Sequence, residues 1–235
     1  MICFLTSATG PYQTPALYTE NLFVDRLREA LPEPVQALFV CSDPDAHEHT
    51  MHFGLEVRDA FVNAGFSLTG FTVLDGLNAA DAPALVADAG LIILGGGYVP
   101  SQNRFFAEIR LKKLLRGWDG VLVGISAGSM NAASTVLVPP EAPEDPMEPD
   151  QWPVLQGLGL TEHHLIPHFQ YLRSQPTPNG GTVEALLLEG SRRWPLLALN
   201  DGSYIFKDAA GNETVCGEAY RIADGEIVRI SKSEA

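Results

Sequence analysis

Gly120-Val121-Leu122-Val123-Gly124-Ile125-Ser126-Ala127-Gly128-Ser129-Met130-Asn131 runs from an apolar strand pattern into small residues able to start a helix. The passage between them has the spacing G-x-S-x-G. A strand entering a helix through that spacing makes a sharp turn, and glycines on either side of the serine remove the Cβ atoms that would collide there. Ser126 is thereby pushed into strained backbone geometry, with its hydroxyl projecting at the top of a sheet. The amide of Ala127 and the first turn of the following helix face the place where an oxyanion would form. An ordinary glycine-rich turn has the same letters, so the surrounding chain has to decide between the two.

Upstream, apolar runs alternate with helical spacing. Ile2–Ser7, Val35–Cys41, Phe66–Leu74 and Leu91–Leu94 read as strands. Tyr18–Ala30, Pro44–Ala64, Ala82–Ala89 and Ser101–Arg116 read as helices. This alternation predicts an α/β fold, a mostly parallel central sheet with helices on both faces in three layers. The pattern changes after the elbow. Pro139–Pro153 carries six prolines and five acidic residues, which excludes a regular helix or a central strand. A loop of that length inside a domain is commonly functional. Leu165–His168 then reads as a strand and Thr182–Glu189 as a helix. Leu196–Asn200, Ser203–Lys207, Thr214–Ile222 and Glu226–Ile230 read as short strands joined by Asp-Gly and Gly-Asn turns, a small antiparallel C-terminal extension. No repeat or linker divides the chain, so residues 1–235 are expected to form a single domain.

Composition narrows the classes of function. The 235 residues are 46% hydrophobic, enough for a substantial core. The formal charge of −14, from 15 Lys+Arg against 29 Asp+Glu, opposes binding to phosphate backbones, so no nucleic-acid partner is expected. No apolar run approaches the length of a membrane span. The first residues, Met1-Ile2-Cys3-Phe4-Leu5-Thr6-Ser7, have no basic leader and read as a strand, which points to the cytoplasm. Cys3, Cys41 and Cys216 lack metal-ligand spacing; Cys3 and Cys41 fall in strand patterns and are expected to be buried small hydrophobes.

Ligands of open α/β sheets bind beyond the carboxyl ends of the strands. One glycine-rich strand end is the elbow; the other is Gly95-Gly96-Gly97. Glycines there let the backbone approach a substrate carbonyl, so Gly96 or Gly97 is expected to supply a second oxyanion amide. Neither G-x-G-x-x-G nor G-K-[ST] occurs, which removes the nucleotide-binding fingerprints. A serine needs a base. Of six histidines, His168 stands at the carboxyl end of a strand, downstream of the elbow. His163 and His164 begin that strand and should lie at its opposite end. His47, His49 and His52 read as a solvated helical face. An anion is needed to orient His168, and the proline-rich loop offers Glu141, Glu144, Asp145 and Glu148. Spacing alone does not choose among them.

The Gly-Gly-Gly strand end, Ser126-Ala127-Gly128 about thirty residues later, and Ile166-Pro167-His168-Phe169 together resemble peptidase family S51, the aspartyl dipeptidase (peptidase E) and cyanophycinase group. The resemblance is strongest over residues 90–170. It implies a flavodoxin-like or class I glutamine amidotransferase-like fold, with Ser126 as nucleophile and His168 as base. In peptidase E the acid lies in the loop after the elbow helix, and an ungapped count lands on Glu141. Serine in place of the thiol of related glutaminases argues against glutamine hydrolysis. The resemblance also implies a cation for an aspartyl carboxylate, for which Arg173 is the nearest candidate. Gln102, after the glycine loop, could bind a substrate amide or carboxylate. The expected activity is hydrolysis of a small peptide, such as an Asp-containing dipeptide, without metal or cofactor. A non-catalytic ligand-binding or regulatory protein and a small-ester hydrolase are the alternatives, and the sequence leaves a homodimer open.

Overall fold

Leu91, Ile92, Ile93 and Leu94 have no solvent-exposed surface, the burial of a parallel strand covered on both faces. A computed structural model describes residues 1–140, 148–178 and 180–230. It opens with β1 (Ile2–Thr6), α1 (Phe23–Ala30), β2 (Val35–Val40), α2 (His47–Asn63), β3 (Leu68–Leu74), α3 (Ala82–Asp88) and β4 (Leu91–Leu94). Next come α4 (Val99–Glu108), α5 (Leu111–Leu114), β5 (Val121–Ile125) and α6 (Ala127–Asn131). After the elbow, β6 (Thr135–Leu137) and β7 (Val154–Gln156) pair antiparallel, followed by β8 (His164–Ile166), α7 (Phe169–Leu172) and α8 (Val183–Gly190). The chain then lays down β9 (Leu196–Leu199), β10 (Tyr204–Lys207), β11 (Glu213–Cys216), β12 (Ala219–Ala223) and β13 (Glu226–Ile230).

The main sheet has the order β11-β10-β1-β5-β4-β2-β3. Its β1, β5, β4, β2 and β3 are parallel; β10 and β11 extend it antiparallel. Helices cover both sides of this sheet, the α/β architecture expected from the sequence. A second sheet has the order β13-β12-β9-β8, in which β8 and β9 run parallel. Its burial alternates with the two-residue period of a strand. Leu165, Leu197 and Leu199 join the main core, while Ile166, Leu196 and Ala198 join a smaller cluster with Leu186 and Leu187 of α8 and with Trp152. The C-terminal strands therefore both widen the main sheet and build a second one against it.

Three elements differ from the sequence reading. The helix expected over 18–30 begins at Phe23, because Asn21 and Leu22 take left-handed φ of 56° and 60°. The helix expected over 101–116 breaks at Arg110 (φ 55°), and Leu111 just beyond the break is fully buried. The strand expected over 214–222 is two strands with a turn at Gly217 (φ 90°). Cys3, Cys41 and Cys216 are unpaired and buried. Burial pushes the Cys3 thiol up to about 11 and the Cys41 thiol to about 12, so both act as apolar groups rather than nucleophiles. Among the described residues, no helix is long and apolar enough to cross a membrane.

The glycines of G-x-S-x-G are explained by close packing. A Cβ on Gly128 would overlap the Leu94 carbonyl oxygen, and one on Gly124 would come within 2.8 Å of Ser129 Oγ. The elbow helix thus sits directly on β4 and β5. Gly128→Ala should lower the free energy of unfolding in urea by about 1–3 kcal/mol, the usual cost of overpacking a tight interior, because the obstructing atom is backbone and cannot rotate away.

Candidate active site

Ser126 follows β5 with φ 49° and ψ −108°, a conformation that costs a non-glycine residue roughly 1–3 kcal/mol. Its neighbours hold it there. The Ser126 amide donates to the Thr6 carbonyl at 3.1 Å, and the Ser129 and Met130 amides donate to the Ser126 carbonyl at 2.9 and 3.0 Å. Ser129 Oγ also donates to the Thr6 carbonyl at 2.7 Å, and Thr6 Oγ1 donates to the Gly124 carbonyl at 2.8 Å. The end of β1 is in this way a clamp on the elbow.

His168 lies two residues beyond β8 and also has a left-handed φ, 56°. Its Nε2 is 3.0 Å from Ser126 Oγ, and its Nδ1 is 2.7 Å from Asp201 Oδ1. With the carboxylate on Nδ1, the proton belongs on that nitrogen, and the Nε2 lone pair accepts from the serine hydroxyl. Ser7, fully buried, ties the arrangement together. Its hydroxyl accepts from the His168 amide at 2.7 Å and donates to Asp201 Oδ1 at 2.7 Å. The Asp201 amide donates to Gln170 Oε1 at 3.0 Å. Burial acts most strongly on the Asp201 carboxyl and would raise it. Hydrogen bonds with His168, Ser7 and Gln170, together with the charge of His168, outweigh burial and hold it below the ordinary carboxylate value.

Among the described residues, the acid that reaches the imidazole is Asp201; the sequence reading expected Glu141 in that role. Glu141, Glu144 and Asp145 lie outside the described residues, and Glu148 is exposed. The order along the chain is Ser126, His168, Asp201. The signal for Asp201 was present: Asn200-Asp201-Gly202 ends an apolar strand, as Pro167-His168 does. It reads locally as a turn. Only the parallel pairing of β8 with β9, His164 opposite Leu196 and Ile166 opposite Ala198, brings the two strand ends to one place. Ser7, Thr6 and Gln170 carried no local signal.

Gly96 stands beside Ser126: a Cβ there would be 3.6 Å from Ser126 Cβ. Its carbonyl accepts from Ser42 Oγ at 2.6 Å. Ser42 follows β2 on one side of β4; Ser126 follows β5 on the other. In a trans peptide the C=O and the next N–H point in opposite directions, so the Gly97 N–H is turned to the Ser126 side. Gly97 has φ 138°, and a Cβ on it would overlap Ser42 Oγ. Among the described residues, the Gly97 and Ala127 amides have no backbone acceptor.

Gln102 is not in the cleft. It is fully buried, donates to the Gly95 carbonyl at 2.7 Å and accepts from Asn131 Nδ2 at 3.0 Å, so it braces the glycine loop against α6. Arg173 is paired with Glu184 and lies over the rings of Phe169 and Tyr220. The cleft at Ser126 and His168 has a volume of about 920 Å³, and Gly96, Gly97 and Asp201 also line it. His49 and His52, exposed on α2 as a solvated helical face would be, also line it. His47 instead meets Asp75 at 3.1 Å, and His164 Nδ1 meets the Pro195 carbonyl at 2.9 Å. Among the described residues, no group of three His, Cys, Asp or Glu is placed to hold a metal ion.

Comparison with known proteins agrees with this architecture. The profile of peptidase family S51 matches residues 5–215. A crystal structure of a peptidase from an acI-B1 Actinobacterium superposes with a TM-score of 0.67 at 18% identity, covering 99% of this chain and 95% of that one. The crystal structure of a peptidase E candidate from Listeria monocytogenes EGD-e gives 0.56 at 14% identity, covering 99% and 98%. No curated protein matches the sequence.

Because the folded state holds the Asp201 proton less tightly than an unfolded aspartate, at about 3.9, the carboxylate contributes stability above that value. The contribution drains away as pH falls through the lower, folded value. The melting-temperature gap between wild type and Asp201→Asn should be widest near neutrality and should shrink steadily below pH 4. A gap that stays constant from pH 7 to pH 3 would count against this linkage.

Proposed function

We propose a serine-type mechanism for this chain, which belongs to peptidase family S51: hydrolysis of a small peptide through an acyl-enzyme on Ser126. Ser126 Oγ attacks the scissile carbonyl while its proton passes to His168 Nε2. Asp201 keeps its bond to Nδ1–H and stabilises the imidazolium. The amides of Ala127 and Gly97, with Gly96 forming the adjoining wall, face the developing oxyanion. His168 then returns the proton to the leaving amine. Water repeats the sequence on the ester, with His168 again as base, and frees Ser126.

The observation that carries this reading is the continuous set of contacts from Ser126 to His168 to Asp201, at 3.0 and 2.7 Å. Contact at hydrogen-bond length favours hydrolysis over a non-catalytic binding role. Ester cleavage would use the same groups. Specificity for an aspartyl carboxylate would require a cation in the cleft, and Arg173 is already engaged by Glu184. Three unpaired cysteines support a reducing compartment such as the cytoplasm.

A fluorophosphonate probe should label wild type and fail on Ser126→Ala. Turnover of small peptides should fall about 10⁴-fold in Asp201→Asn, the size expected when the imidazole loses its tautomer control. Glu141→Gln should leave kcat/KM unchanged, because another carboxylate already holds Nδ1. The reverse pattern, activity lost in Glu141→Gln and kept in Asp201→Asn, would reassign the acid. Ser42→Ala should lower kcat tenfold or more with little change in KM. The upper bound is about 10²–10³, the loss of a whole oxyanion donor.

A further inference from the structure

One wall of the cleft that holds Ser126 is a face of α2. His49, His52, Phe53, Glu56, Val57 and Ala60 all line it, at spacings of three and four residues that repeat along one side of a helix. The deeper part of this face is apolar: Val57 and Ala60 are buried and Phe53 is half-buried. The outer part is polar, and Glu56 carries its only carboxylate. Among the described lining residues there is no lysine or arginine, and the only other carboxylate is Asp201. Asp201 accepts from His168 and Ser7 through a single oxygen, Oδ1, and its charge is already shared with the His168 imidazole. Glu56 is held only loosely, with His52 Nδ1 at 3.7 Å and about half of its side chain exposed. A carboxylate entering this cleft would find no fixed cation and would meet Glu56, within a protein of charge −14. An ammonium group would find an available partner.

We propose that the cleft selects peptides bearing a positive charge, the α-ammonium group or a basic side chain, next to an apolar side chain, and discriminates against acidic ones. The apolar side chain packs on Phe53, Val57 and Ala60, and the positive charge is read by Glu56. This selectivity rests on the serine-hydrolase reading of Ser126, and the two are separable by experiment.

Protection of Ser126 from a fluorophosphonate probe at pH 8, together with turnover, would be compared for Leu-Ala, Phe-Ala, Lys-Ala, Asp-Ala and N-acetyl-Leu-Ala. The first three should protect, and be cleaved, about tenfold better than Asp-Ala. Acetylation of Leu-Ala should cost about tenfold in wild type, the size of one hydrogen bond to a charged group. That penalty should vanish in Glu56→Gln, and Glu56→Arg should raise Asp-Ala relative to Leu-Ala. Wild type that favours Asp-Ala, or a panel that gives no protection, would overturn the selectivity while leaving the hydrolase intact, provided that Ser126 is labelled. An unchanged preference order in both Glu56 variants would overturn the role of Glu56. Failure of folded wild type to label at all would overturn the hydrolase reading and the selectivity with it.

Discussion

The candidate site depends on how β8 and β9 share their two faces. Leu165, Leu197 and Leu199 are buried in the main core, while Ile166, Leu196 and Ala198 are buried under α8 and Trp152. A short strand with both faces covered is fixed in register, since a slip of one residue would exchange every inward side chain for an outward one. Parallel pairing then makes both strands finish at the same edge. His168 and Asp201 are the residues that emerge there. Apolar packing therefore sets the separation of His168 and Asp201 before any polar contact is made, and it also docks that pair on the sheet that carries Ser126.

The polar contacts refine this placement. Ser7 directly follows β1, a strand of the main sheet, and its hydroxyl bonds both the His168 amide and the Asp201 carboxylate, which follow strands of the second sheet. A buried hydroxyl with donor and acceptor both satisfied adds order at little desolvation cost. The neighbouring residue, Thr6, holds the elbow through its carbonyl and hydroxyl. Two consecutive residues at the end of one strand thus position Ser126 on one side and His168 and Asp201 on the other.

Features that are local in the chain were legible in the sequence. The elbow announces itself because strand, serine, glycines and helix are contiguous, and His168 because an apolar strand runs straight into it. The alternation of strands and helices likewise reveals the parallel sheet. Asp201 was hidden because a carboxylate in Asn-Asp-Gly is what a turn requires in any case. Its function appears only through pairing with a strand more than thirty residues away. Gln102 misled for the opposite reason: its position after the glycine loop suggested ligand contact, yet its amide satisfies the Gly95 carbonyl inside the core. The breaks at Arg110 and at Asn21-Leu22 involve left-handed φ at ordinary residues, a choice made by tertiary packing against intrinsic preference.

The strain in this molecule falls where chemistry would use it. Ser126 and His168 are both non-glycine residues with positive φ, and each is held by hydrogen bonds from elements remote in sequence. The glycine loop is fixed in the same way, with Ser42 on the Gly96 carbonyl and Gln102 on the Gly95 carbonyl. A loop whose carbonyls are held from two sides is restrained beside Ser126. Donors oriented in advance need no reorganisation when charge develops beside them. Hydroxyl and amide side chains are in this fold the price of keeping Ser126 and His168 in unfavourable conformations: Thr6, Ser7 and Ser42 stand at the carboxyl ends of strands, and Gln102 and Ser129 on the helices that follow them.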